Sequence, residues 1–277
     1  MNKKVSLFSL IMLIVASVDN IRNLPASALF GGSLIFFFVV SAIVFLIPTA
    51  LVAAELTATY PEKGGVYHWV HKAFGKRFAL IAIWMQWINT MVWYPTILSA
   101  IAGTAAYLIN PELVHHKGYL VASILSIFWS ITLLNFLGIH FSSLVNTVCG
   151  IMGIIIPMFF LIVLGGVWVF SGQPLQISLT AKSLTPCFSD TTCWVSLIAI
   201  MASFLGMELA GVHVNDIKNP QKNFPKAILL SSAFILVTMV LGSLAIAFVL
   251  PTEKISLVSR SEEHTSELQS PDHLVCR

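Results

Sequence analysis

Charged side chains are scarce in this chain. Only 10% of its 277 residues are Asp, Glu, Lys or Arg, whereas 57% are hydrophobic. Soluble domains usually carry about 25% charged residues, so the composition argues against an ordinary soluble fold. A basic block with interleaved aromatic residues is also missing from the sequence, and we therefore predict no nucleic-acid partner.

Side-chain groups that mark catalytic sites are missing too. The sequence contains no glycine-rich phosphate loop and no nucleophile paired with a base. His115 and His116 are adjacent, but no further ligand cluster accompanies them, so we interpret them as solvated rather than metal-binding. We predict that the protein is not an enzyme and needs no cofactor and no metal. A seven-span receptor or membrane enzyme is the alternative from another class.

Cysteines number only four. Cys187 and Cys193 lie in and beside a long polar loop, residues 171–192. They would form a disulfide if this loop faces an oxidising compartment, and they would stay free thiols otherwise. Nothing in the sequence fixes the geometry of the pair, so both readings stay open.

Long hydrophobic runs, by contrast, fill most of the sequence. A helix needs about 20 apolar residues to cross the roughly 30 Å hydrocarbon core of a bilayer. Seven runs suit such crossings, the first of them interrupted: about 5–30, 33–60, 78–109, 119–137, 144–170, a sixth from about 193, and 227–250. The sequence therefore predicts an all-α polytopic membrane protein.

Lys and Arg are distributed unevenly among the segments that connect these runs. Nine of them fall on the side of the N-terminus, and three fall on the opposite side. Cytoplasmic segments carry the excess of positive charge in membrane proteins. The distribution predicts a cytoplasmic N-terminus.

Polar residues interrupt two of the predicted spans. Residues 19–25 place Asp, Arg, two Asn and a proline in the first span, and Glu208 lies between Gly206 and Gly211 in the sixth. Polar and ionisable groups are costly in hydrocarbon, which favours broken helices at both places. In the alternative, the first stretch is the outer end of a short helix, and the sixth span is a continuous helix whose Glu208 bonds a neighbour.

The C-terminal stretch 260–277 changes abruptly to polar, charged sequence, RSEEHTSELQSPDHLVCR. It resembles the translation of a sequencing-adapter oligonucleotide, so we expect it to be a non-native tail and the native protein to continue beyond Ser259. The alternative is a genuine hydrophilic tail.

Three segments carry a resemblance to a known family: residues 62–70 after the second span, residues 203–208 in the sixth, and residues 213–220 with Pro225 after it. With these segments the chain resembles bacterial amino-acid antiporters of the amino acid–polyamine–organocation (APC) superfamily, and within it the glutamate/γ-aminobutyrate antiporter group. The resemblance implies a LeuT-type five-plus-five inverted repeat, truncated here after about seven transmembrane helices. Residues 1–170 would form the first repeat, 171–192 an external loop, 193–259 the start of the second repeat, and 260–277 the tail.

The same resemblance implies a substrate site at the two breaks. In the family the substrate carboxylate meets backbone N–H groups at the first break, and its amino group meets carbonyls at the sixth, as helix-end charges favour. Carried over, these positions are Asp19, Asn20, Ile21, Arg22 and Asn23, with Ser203, Phe204, Leu205, Gly206 and Glu208. Many relatives have a Gly-Ser-Gly-type first break, which this chain lacks. Arg22 would favour an acidic substrate if it faces the site, and it says nothing about the substrate if it pairs with Asp19, three residues away.

We therefore expect a secondary active transporter that exchanges amino acids across the bacterial inner membrane by alternating access. Glutamate and γ-aminobutyrate, or a related amino acid and amine, are the candidate substrates. A proton- or sodium-coupled amino-acid symporter of the same fold is the alternative. Glu208 is the candidate for coupling or gating, because a buried carboxylate can respond to pH. The expected partners are the amino-acid substrate and the lipid bilayer, and a homodimer is the candidate assembly.

Overall fold

The computed structural model describes residues 5–61, 64–177, 181–184, 191–251 and 255. Six helical segments in this part of the chain are long and apolar enough to cross a membrane, and they account for the second to seventh predicted spans: Gly31–Thr59, Lys76–Ile109, Lys117–Asn135, Phe141–Phe170, Trp194–Val214 and Pro220–Val249. The first predicted span contains a shorter apolar helix, Leu7–Val18. The prediction of a polytopic helical protein is confirmed.

The α-helices, numbered in chain order, have the following bounds. They are α1 Leu7–Val18, α2 Asn23–Ala28, α3 Leu34–Ser41, α4 Ile47–Thr59, α5 Val66–Phe74, α6 Lys76–Ile109, α7 Lys117–Asn135, α8 Ile139–Gly150, α9 Ile156–Phe170, α10 Ala181–Leu184, α11 Thr191–Ser203 and α12 Pro220–Val249. Apart from one isolated bridge, the described residues form no β-structure.

The first span is broken, as its polar residues predict. The Ser6 hydroxyl caps the start of α1 by accepting from the N–H of Ser9, and α1 ends at Val18. The chain is then non-helical until α2 begins at Asn23. Pro25 was predicted as part of the break, but it lies in the first turn of α2. Backbone N–H groups in the first turn of a helix have no intrahelical acceptor, so a proline, which lacks the N–H, fits there.

The sixth span is broken as well, and the alternative of a continuous α-helix is wrong. Helix α11 ends at Ser203, a turn follows, and a 3₁₀ helix then runs over Met207–Asp216. Gly206 makes the junction with a φ of +111°, a left-handed conformation in which side-chain-bearing residues are strained. A 3₁₀ helix of ten residues is long for this conformation, which usually lasts only about 3–4 residues.

Two other spans widen before a proline. Short π-helical segments, Ala42–Leu46 and Ile151–Ile155, each stand two residues before a proline, Pro48 and Pro157. Proline lacks the N–H that continues the α-helical ladder, and π turns are a known way to accommodate such a disruption. The spans therefore stay helical through both prolines.

Helix α12 lies at the centre of the described bundle, in contact with α1, α2, α4 and α9. Small residues let its backbone approach these neighbours. A Cβ atom on Gly242 would stand 3.0 Å from the side chain of Leu24, and one on Gly165 of α9 would collide with Ala245. The Ser231 hydroxyl donates to the carbonyl of Ile11 at 3.4 Å. Close approach through small residues is the usual packing mode of membrane helices.

A short backbone bridge joins the start of α1 to the end of the 3₁₀ helix Met207–Asp216. The N–H of Val5 donates to the carbonyl of Asp216 at 2.7 Å, and Val5 pairs in parallel with Ile217. Both paired side chains are buried. The bridge therefore ties the first half of span one to the second half of span six.

The other sequence predictions fall partly outside the described residues. Cys187 and the side chain of Cys193 lie outside them, so the disulfide stays untested, as does the tail 260–277. The side chain of His115 also lies outside, whereas His116 is exposed, as predicted.

Candidate functional site

The two broken helices meet at their breaks. A Cβ atom on Gly206 would stand 3.2 Å from the carbonyl oxygen of Ser17 and 3.6 Å from Val18. The Ser17 hydroxyl, which bonds the carbonyl of Ile14, also lies 3.5 Å from the carbonyl oxygen of Gly206. The break in span six therefore lies directly against the last turn of α1.

Asp19 is the most deeply buried ionisable group of this site. Its side chain is 3% exposed, and its backbone N–H closes the last turn of α1 on Val15 at 2.7 Å. Carboxylate oxygen Oδ2 accepts from the hydroxyl of Thr238 on α12 at 2.9 Å. Oxygen Oδ1 is also buried and has no hydrogen-bond partner among the described residues. The carboxylate is thus held between the end of α1 and the central helix.

The rest of the first break forms a local turn around Asn20. The side-chain oxygen of Asn20 accepts from the N–H of Arg22 at 3.0 Å, and its carbonyl accepts from the N–H of Asn23 at 3.1 Å. The N–H of Leu24 bonds the carbonyl of Ile21. Arg22 is half-buried. The side-chain hydrogen bond of Asp19 runs to Thr238, and no hydrogen bond between described residues joins Asp19 to Arg22, which was one of the two alternatives for Arg22.

The sixth break presents unused carbonyl groups. The Ser203 hydroxyl donates back to the carbonyl of Ile200, and the N–H groups of Phe204 and Leu205 bond carbonyls one turn earlier. No hydrogen bond among the described residues ends on the carbonyl oxygens of Phe204 or Leu205. The buried ring of Phe204 packs edge-on against Phe38 at 5.9 Å. The side chain of Leu205 is 50% exposed, so only its backbone belongs to the site.

Glu208 differs from Asp19 in its surroundings. It is half-buried in the first turn of the 3₁₀ helix, and its side chain makes no hydrogen bond or ion pair with described residues. The adjacent Met207 is fully buried and lies 3.9 Å from the hydroxyl of Ser232. Of the two acids, Asp19 is therefore the one enclosed by the bundle.

Thr238 is a residue of this candidate site that the sequence analysis did not identify. It is separated from Asp19 by 219 positions, and it lies in the run 227–250, which reads as plain membrane helix. A weak signal was present, because Ser231 and Thr238 stand seven residues apart and share a helix face. A hydroxyl stripe on an apolar helix marks a contact with polar groups of a neighbour.

Helix α5 supports the sixth break from outside the bundle. A Cβ atom on Gly211 would stand 3.2 Å from the ring of Trp69, and one on Gly65 would stand 3.3 Å from Val212. The Trp69 ring is buried against the 3₁₀ helix. Gly65 and Trp69 of the segment 62–70 therefore pack directly against the 3₁₀ helix Met207–Asp216.

Comparison with known proteins places this geometry in a family. The family described as amino acid permease matches residues 5–266. An uncharacterised transporter from Legionella pneumophila is 44% identical over 257 residues, which cover 93% of this chain and 55% of the relative. A glutamate/γ-aminobutyrate antiporter from Lactococcus lactis subsp. cremoris is 28% identical, covering 92% and 51%. A probable agmatine/putrescine antiporter from Lactococcus lactis subsp. lactis is also 28% identical, covering 93% and 54%.

The chain spans about half the length of these curated relatives. The family match nevertheless extends over most of the chain, from the bridge residue Val5 through both breaks and α12. The chain therefore belongs to the amino acid permease family, and it is a multi-pass membrane protein whose relatives above are named as transporters.

Proposed function

We propose that the protein exchanges amino acids or related amines across the bacterial inner membrane by alternating access, with its N-terminus in the cytoplasm. The observation that carries this proposal is the meeting of two broken helices, at Gly206 and Ser17, beside a buried carboxylate. Unwound helix segments that meet inside a membrane bundle supply backbone groups to a substrate where lipid cannot reach. The positive charge on the N-terminal side supports the orientation.

We assign the substrate's amino group to the sixth break. The carbonyl oxygens of Phe204 and Leu205 accept no hydrogen bond from the described residues, and carbonyl groups at the end of a helix attract cations. Oxygen Oδ1 of Asp19 is a second acceptor without a partner among the described residues. An ammonium group has three donors, and these three oxygens are the acceptors that we propose for them.

We assign the substrate's carboxylate to the first break, residues 19–23. The side-chain oxygen of Asn20 now accepts from the N–H of Arg22. A carboxylate oxygen makes the same kind of bond, so a substrate that displaces the Asn20 amide would find the donor already oriented. Binding would then exchange one hydrogen bond for another and leave no backbone group unpaired.

The names of the relatives suggest two candidate substrate classes, acidic amino acids and amines, and Arg22 can distinguish them. Two relatives are named for glutamate/γ-aminobutyrate and agmatine/putrescine exchange. Replacing Arg22 by Gln separates these classes. If the guanidinium faces an acidic substrate, the Kd for glutamate should rise at least tenfold, since charge-assisted hydrogen bonds contribute about 1.5–3 kcal/mol. Unchanged glutamate binding, measured by calorimetry, would remove Arg22 from the substrate site.

Exchange is distinguished from symport by counterflow in proteoliposomes containing the full-length protein. An exchanger takes up labelled glutamate, γ-aminobutyrate, agmatine or putrescine only into vesicles loaded with substrate. Net uptake into empty vesicles along a proton or sodium gradient would establish the symporter instead. Absence of both with all four substrates and the common amino acids would overturn the proposed function.

Glu208 is proposed to gate the pathway from the first turn of the 3₁₀ helix. A carboxylate at this position can alternate between water and the positive end of a helix, which favours anions. Glu208→Gln should therefore flatten the pH dependence of exchange. An unchanged pH profile would exclude Glu208 from gating.

A further inference from the structure

We propose that Asp19 and Thr238 form a proton-binding site, in which Asp19 takes up a proton while the Thr238 hydroxyl changes its hydrogen-bond acceptor. This inference rests on the proposed transport function and names a different residue from Glu208 as the carrier of the proton. Its basis is the arrangement of acceptors around one hydroxyl group.

Thr238 has more acceptors within reach than it has hydrogen atoms to donate. Its Oγ1 lies 2.9 Å from Oδ2 of Asp19, 2.9 Å from the carbonyl oxygen of Phe234 and 3.1 Å from that of Ile235. A threonine hydroxyl donates one hydrogen bond and accepts up to two. It therefore bonds either the carboxylate or its own helix at any moment.

The hydrogen bond between Asp19 Oδ2 and Thr238 can form in both protonation states of Asp19. When the carboxylate is ionised, Thr238 donates to Oδ2. When a proton from water on the open side of the membrane binds Oδ2, the new O–H donates to Oγ1 of Thr238, whose hydrogen turns to the carbonyl of Phe234. Release of the proton reverses both changes. No heavy atom has to move far, because all the acceptors already lie within hydrogen-bond distance.

The second carboxylate oxygen, Oδ1, is the basis on which we propose that proton binding and substrate binding are coupled. Oδ1 is buried without a described partner in a side chain that is 3% exposed. An ionised carboxylate left partly unpaired in a membrane bundle is costly. A proton relieves this cost, and so does the ammonium group of a substrate. Proton and substrate amine are therefore alternative ligands of Asp19, which is the requirement for coupling their movements.

Other ionisable groups stand apart from this carboxylate. On α12 they are Lys222 and Lys226, and the nearer is twelve residues from Thr238, about 18 Å along a helix. The remaining ionisable residues with described side chains, on elements in contact with α1 or adjacent to it in the chain, are Arg22, Cys149, Glu208, His213 and Asp216. None of them is a hydrogen-bond partner of Asp19.

The test combines two readouts on the full-length protein. Infrared difference spectroscopy detects the C=O band of a neutral carboxyl group and reports proton binding whether or not transport occurs. Transport across a pH series in proteoliposomes reports coupling. The variants are Asp19→Asn, Thr238→Val and Thr238→Ser, and the matched control is Ser231→Ala, which removes a hydroxyl from the same face of α12.

We expect Asp19→Asn to abolish the carboxyl band and the pH dependence. Thr238→Val should move the midpoint of both profiles toward higher pH, because the ionised carboxylate loses its donor, and Thr238→Ser should restore it. Ser231→Ala should leave both profiles unchanged. A titrating band that survives Asp19→Asn, or a midpoint that Thr238→Val does not move, would overturn the proposal. A normal infrared titration in a protein without transport would instead contradict the proposed function alone.

Discussion

A single glycine decides how closely the two broken helices approach. Gly206 combines a φ of +111° with a carbonyl oxygen of α1 only 3.2 Å from where a Cβ would stand. Each constraint disfavours a side chain, and together they favour glycine over every other residue. Asp19 is likewise defined by one neighbour, since the Thr238 hydroxyl is its described side-chain donor. The proposed function of this site therefore depends on specific contacts of single residues rather than on the number of polar residues.

Gly206→Ala tests the first of these constraints. The left-handed conformation costs a side-chain-bearing residue about 1–2 kcal/mol, and the contact with Ser17 adds to it. We expect a lower thermal unfolding midpoint in detergent and a loss of exchange. Gly166→Ala on α9 is the control, because nothing lies within 4 Å of its Cβ position. Equal stability of the two variants would show that the break tolerates a side chain.

At the level of elements, the sequence predicts where helices stop better than how they pack. Polar residues inside apolar runs locate both breaks correctly, because lipid does not tolerate them on an ordinary helix surface. The 3₁₀ form of Met207–Asp216 carries no such signal, since its residues suit an α-helix equally well. The central position of α12 could not be predicted from the sequence either, because small residues like those that allow its close packing occur in any membrane helix.

The contact between α5 and the 3₁₀ helix makes a prediction of its own. Gly211→Ala should lower the unfolding midpoint, because the new methyl group would stand 3.2 Å from the Trp69 ring. Trp69→Phe alone should also destabilise, since it leaves space where the indole ring packed. Combining them should recover part of the loss, as the smaller ring makes room for the methyl group. Strictly additive losses in this double-mutant cycle would contradict a direct contact.

The described helices expose apolar side chains on several sides of the whole molecule, including Leu229, Leu230 and Val237 on α12. The curated relatives are about twice as long. We propose that the native protein continues beyond Ser259 and that its further helices cover part of this surface. Sequencing the locus across the codon for Ser259 should reveal an open frame with about five more hydrophobic runs. A stop codon after Arg277 in source DNA would refute this continuation.

The longer protein should also be the more stable one. Helices that lose their packing partners keep their backbone hydrogen bonds but lose close contacts between side chains. We expect the full-length protein to unfold in detergent at a higher temperature than the segment 1–259, with the same substrate giving a further increase only in the full-length form. Equal midpoints would indicate that this segment is already a self-sufficient bundle.

The bridge between Val5 and Ile217 couples the movements of two helical segments. Helix α1 lies in span one and the 3₁₀ helix Met207–Asp216 lies in span six, and the start of the first shares backbone hydrogen bonds with the end of the second. A movement of either segment must therefore move the other, and we expect the two segments to move together as the inner gate opens. A disulfide between Val5→Cys and Ile217→Cys should then leave exchange intact. Loss of exchange on cross-linking would mean that the two segments move separately.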